Sequence, residues 1–112
     1  MTDNAIPPCG PLRDRLVAEA VGWEWMKHVN IAWDAETADT RRPSTCDADA
    51  LAALKAWKFR GTARTVAIEF NCDGSVWVEL FEEDAFTCAH VSTLADAATA
   101  ALVRWRNERS QS

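Results

Sequence analysis

Cys88 and His90 stand two residues apart in FTCAHV. On an extended chain their side chains share a face, and a thiol beside an imidazole is the minimal form of a nucleophile with its base. No third group nearby would orient the histidine, and a reactive thiol also needs an electropositive, partly exposed setting. A buried thiol beside a hydrogen-bonded histidine accounts for the same spacing. Zinc could draw on this pair together with Cys72 or His28, but cysteines at positions 9, 46, 72 and 88 lack the close C-x₂₋₄-C pairs of structural zinc sites. No G-x-G-x-x-G or Walker-type run supplies a phosphate-cradling loop. The expectation is a protein without catalytic residues, metal ligands or a cofactor.

The carboxylates offer a different chemistry. Glu82, Glu83 and Asp84 are consecutive in FEEDAF. Acid–base catalysis needs two carboxyls whose surroundings pull their pKa values apart, and three neighbours in one turn are expected to be solvated and ionised alike. Their remaining use is recognition. From Thr65 to Val103 there is no Lys or Arg, while Glu69, Asp73, Glu79, Glu82, Glu83, Asp84 and Asp96 all fall there, in a chain of net charge −5. Such a field steers a basic partner toward the surface and opposes direct binding of nucleic acid. Glu69, Glu79, Glu82, Glu83 and Asp84 are the candidate docking acids.

Aromatic residues could complete that interface. In GWEWMKHVNIAWD, Trp23, Trp25 and Trp33 share odd positions with Lys27, Val29 and Ile31, a period of two that reads as extended chain. Asn30 is the residue best able to take positive φ there. A three-residue loop over His28 to Asn30 would set Trp25 opposite Trp33, making both candidates for partner contact. The alternative is a pocket for a small ligand or nucleotide, combining this ribbon with one or more of Arg41, Arg42, Lys58 and Arg60.

Elements must position these groups. At 112 residues and 48% apolar content the chain is the size of one domain, expected over 11–109 between a flexible segment 1–10 and a tail 110–112. Pro11 opens a helix carrying Leu12, Leu16, Val17 and Ala20 and ending near Gly22. Residues 35–42 read as a loop. Ser44 is the expected N-cap of a second helix, with Asp47 in its first turn, Ala50, Leu51, Leu54 and Trp57 on one face, and Gly61 closing it.

The segment TVAIEFNCDGSVWVELFEE selects its own register. A two-residue turn at Asp73-Gly74 would mix aliphatic and charged positions on one face. A three-residue loop Cys72-Asp73-Gly74, with Gly74 at positive φ, instead pairs Phe70 with Val76, Ile68 with Val78 and Val66 with Leu80. The opposite face then carries Ala67, Glu69, Trp77, Glu79 and Phe81, so much apolar surface that partial cover is expected. FTCAHV supplies a further strand. Thr93 caps a last helix whose stripe is Leu94, Ala98, Ala101, Leu102 and Trp105.

Four stretches, LRDRLVAEAVGWEW, PSTCDADALAAL, G-x-V-W-V at Gly74–Val78 and TLADAATAALVRW, resemble the phage ABA sandwich domain family over residues 12–105. The resemblance implies an α+β, single-domain α/β/α layered sandwich, mainly antiparallel, with about three to five strands and helices on both faces. It implies phage or prophage origin and carries over no catalytic residue. The expected function is a non-enzymatic accessory protein that binds a host protein or defence complex with a basic surface, as an anti-CRISPR or anti-restriction inhibitor, with a homodimer compatible with the same reading. The start MTDNAIPPCG lacks a leader pattern and no apolar run reaches roughly 20 residues, so a cytoplasmic place in the bacterial host, free of membrane and with reduced thiols, is expected.

Overall fold

The strongest alternation in the chain pairs as its hydrophobic pattern requires. Phe70 lies opposite Val76, Ile68 opposite Val78 and Val66 opposite Leu80. The turn is built over Asn71 to Ser75: the Gly74 N–H donates to the Asn71 carbonyl at 3.0 Å, and the Asn71 N–H donates to Ser75 at 2.9 Å. Gly74 has φ of 90°, a conformation that costs an L side chain about 1–2 kcal/mol.

This computed structural model describes residues 6–83 and 85–110. In chain order it holds α1 (Pro11–Val21), β1 (Glu24–Met26), β2 (Ile31–Asp34), β3 (Asp39–Arg41), α2 (Asp47–Phe59), β4 (Arg64–Phe70), β5 (Val76–Glu82), β6 (Ala85–Val91) and α3 (Leu94–Ser110). The strands form two antiparallel sheets, β1-β2-β3 and β4-β5-β6. The α+β sandwich class is the one the sequence implies.

The layering is more one-sided than helices on both faces of one sheet. α3 packs across β5 and β6, α2 packs beside β4, and α1 packs on α3, α2 and the first sheet. The helices thus stand between two sheets. Ala97 to Val103 of α3 are all buried, because one side of this helix meets the second sheet and the other meets α1 and α2. Its alanines allow that close approach on several sides.

Several local expectations change for identifiable reasons. The first ribbon is a hairpin, but its loop has four residues, Lys27 to Asn30, with the Val29 N–H on the Met26 carbonyl and Asn30 at φ 53°. That one extra loop residue pairs Trp25 with Ala32 and Trp33 with Glu24, so Trp25 and Trp33 point to opposite faces. Residues 39–41, read as loop, add a third strand to it. Ser44 is not the cap of α2. It is buried, its N–H donating to Asp14 at 2.8 Å and its hydroxyl accepting from the Gly10 N–H at 2.9 Å, while Cys46 holds the cap position. Asp47 accepts from the Ala95 N–H at 3.0 Å, so it serves the start of α3 from the start of α2. Thr93 caps α3 as expected, accepting from the Asp96 N–H at 3.1 Å.

Arg13 ties the early chain to α3. Its side chain, 8% exposed, meets Asp96 at 2.5 Å and donates to the Pro7 carbonyl at 2.7 Å and to Thr99 at 3.2 Å. The described helices include none long and apolar enough to cross a membrane.

Candidate functional site

Of the candidate docking acids, Glu82 is occupied inside the protein. Its carboxylate meets Arg64 at 3.0 Å, accepts from the Trp105 indole N–H at 3.2 Å and pairs with Arg109. Arg64 in turn lies over the rings of Trp57 and Trp105, 4.7 and 4.8 Å from their centroids, and donates to the Trp57 carbonyl at 2.7 Å. Trp57 and Trp105 meet edge to face at 5.7 Å. Burial disfavours the Glu82 charge, but the Trp105 and Arg64 hydrogen bonds and the Arg64 and Arg109 charges outweigh it and hold the carboxyl below the usual glutamate range. Glu82 therefore leaves the set of docking acids. Glu83 is exposed at φ 54°, and Asp84 lies outside the described residues.

The outer face of β4-β5-β6 is a different environment. Its rows are Thr65, Phe81 and Phe86; Ala67, Glu79 and Cys88; and Glu69, Trp77 and His90. Phe81 and Phe86 sit with centroids 6.0 Å apart, and Trp77 lies 5.4 Å from His90. The cover expected over Trp77 and Phe81 is not supplied by a helix, since α2 and α3 take the opposite face, where Val76, Val78, Leu80 and Ala89 are buried. Phe86 is 60% exposed, Trp77 and Phe81 are half-buried, and Glu69 is exposed. No Lys or Arg occurs in those rows. Arg104 of α3 instead donates to the Cys88 carbonyl, a contact that blunts the free edge of β6.

Cys88 and His90 share this face, but the histidine turns to the β4–β5 turn. His90 Nε2 is 2.7 Å from the Ser75 hydroxyl and 3.5 Å from Asn71. That contact would suit a serine and its base, yet the Ser75 hydroxyl proton is directed to Asp73 Oδ1 at 2.6 Å. The histidine therefore acts as donor to Ser75 Oγ. Hydrogen bonds from the Ser75 hydroxyl and N–H hold the Asp73 carboxyl below its ordinary range. The network clasps the β4–β5 turn across to β6. Sequence spacing pointed to Cys88 because it is two residues away, whereas Ser75 is brought to His90 only by pairing β5 with β6. Among the described residues no cluster of three or more His, Cys, Asp or Glu could hold a metal ion, and the four cysteines are unpaired.

The cations of the alternative pocket are divided. Arg41 and Arg60 line a groove of about 830 Å³ between α2 and the first sheet, with Trp23, Lys55 and Phe59. Arg42 and Lys58 do not line it, nor do Trp25 and Trp33. Arg41 is consumed locally, meeting Asp34 at 3.3 Å and Asp49 at 2.9 Å and donating to Thr37 at 2.9 Å. Burial opposes its charge, but Asp49 and Asp34 more than compensate and raise its pKa further. Lys58 rests 5.0 Å from the Phe59 ring.

Comparison of the chain with protein-family models, with curated proteins and with solved structures finds no match.

Proposed function

We propose that the chain is a non-enzymatic binding protein whose working surface is the outer face of β4-β5-β6. The observation that carries this reading is an aromatic, helix-free sheet face, Trp77, Phe81 and Phe86, with Glu79 at its centre and Glu69 at its edge and without a Lys or Arg in its rows. An antiparallel sheet facing only water alternates apolar-in with polar-out, and aromatic rings on the wet side gain by being covered. Aromatic anchors are the usual energetic centre of a protein interface, and carboxylates set among them call for cations opposite. Charge complementarity then selects a partner with a basic surface.

Two like faces would bring Glu69 and Glu79 against their own kind, which argues against a homodimer through this surface. The resemblance to phage ABA sandwich proteins supplies the biological setting: a phage or prophage accessory protein that inhibits a host defence complex through this acidic, aromatic face.

Affinity capture from defence-carrying bacterial cells, read by mass spectrometry, tests the proposal. The wild-type chain should retain a basic partner that Phe86→Ser and Glu79→Lys each release, and raised salt should weaken its capture. An identical partner set for wild type and both variants would sink the reading.

A further inference from the structure

α2 is apolar on two sides. Ala50, Ala53, Leu54 and Trp57 enter the core, while Ala48, Leu51, Ala52, Ala56 and Phe59 turn toward the groove shared with the first sheet. Leu51 is 40% exposed and Phe59 76% exposed, and the half-buried Trp23 stands among the other lining residues. A cavity of about 830 Å³ is within the usual range of small-molecule sites, roughly 300–1,000 Å³. Its apolar floor suits a flat, uncharged ring.

Charge distinguishes one end. Arg13, Arg41 and Arg64 each hold carboxylates, but the side chains of Lys55 and Arg60, both lining the groove, have no hydrogen bond or ion pair among the described residues. Arg60 is nonetheless placed. Its guanidinium lies across Gly22, where a Cβ would come within 2.3 Å of Cζ, and Gly22 is the left-handed cap of α1, whose C-terminal carbonyls favour a cation. A planar guanidinium fork and an ammonium point charge together match the several oxygens of a phosphate. Of the lining carboxylates Asp34 is neutralised by Arg41, which leaves Glu36 as the opposing charge.

We propose that this groove binds a free aromatic phosphate of mononucleotide size, its ring against Trp23, Leu51 and Phe59 and its phosphate held by Lys55 and Arg60. This site lies on α2 and the first sheet, apart from the outer face of β4-β5-β6, so its test is independent of the partner capture.

The test titrates the full chain with AMP, adenosine, inorganic phosphate and a 5′-phosphorylated oligonucleotide, read by melting midpoint and calorimetry. AMP should raise the midpoint in a dose-dependent way, with adenosine and inorganic phosphate each giving less. Arg60→Ala and Lys55→Ala, both at exposed positions, should each weaken AMP roughly tenfold to a hundredfold, as expected for loss of a charge-assisted hydrogen bond. Glu36→Gln should tighten it. The proposal is overturned if AMP gives no shift, if both cation variants bind as wild type, if phosphate alone reproduces the full shift, or if the oligonucleotide binds as well as AMP.

Discussion

Along β5, neighbours on one strand are put to opposite uses. Val76, Val78 and Leu80 meet α3 and are buried, whereas Trp77, Glu79 and Phe81 stay half-exposed on the other side. The acids divide in the same way. Glu82, on the inner parity, is held by Arg64, Trp105 and Arg109, while Glu69 and Glu79, on the outer parity, carry no ion pair among the described residues. These acids are therefore two populations: Glu82 is part of the internal structure, while Glu69 and Glu79 stand on the helix-free face.

The contrast can be broken first on the buried side. Leu80→Ala should lower stability by about 3 kcal/mol, read as a reduced urea midpoint at unchanged slope, because a fully buried leucine leaves a cavity against α3. A loss below about 1 kcal/mol would mean that the inner face is not the structural one. Glu82→Gln should cost about 2 kcal/mol, since Arg64 and Arg109 lose their counter-charge. Its pH dependence sharpens the assignment. The folded pKa is depressed, so the stabilisation is complete above the ordinary glutamate value of about 4.3 and is lost as pH falls through the lower folded value. Wild-type and Glu82→Gln stabilities should draw together as pH falls below the ordinary glutamate value, and a constant gap into acid would contradict the ion-pair account.

Smaller effects test the turn and the outer face. Gly74→Ala should cost about 1 kcal/mol through its positive φ alone, because nothing lies within 4 Å of the added Cβ. Phe86→Ser should change stability by no more than about 0.5 kcal/mol, measured by the same denaturation, while abolishing partner capture. A Phe86→Ser loss as large as that of Leu80→Ala would assign the outer ring to the structure and remove the contrast.

The two sheets differ in how far they could be read from the chain. In the second sheet, seven-residue strands of alternating Val, Ile and Leu leave one register that keeps aliphatic side chains together, and Gly74 supplies the turn that register needs. In the first, strands of three and four residues carry too few apolar positions to discriminate between a three- and a four-residue loop. One residue more in the turn moved Trp25 and Trp33 to opposite faces. β3 was invisible for a related reason: Asp39–Arg41 has no hydrophobic pattern and is held by pairing with β2 and by the Arg41 ion pairs.

Local pattern alone specified three helices, the β4–β5 register, the Thr93 cap and the acidic segment, because each depends on side-chain periodicity or on chemistry within a few residues. Tertiary packing decided which surface stayed open and which charges stayed free. Whether Glu82 meets Trp105, whether Ser75 meets His90, and whether Arg60 lies across Gly22 depend on contacts between elements distant in the chain. Such contacts have no period to read, since they are set by how buried faces stack and by which charged groups that stacking brings within reach.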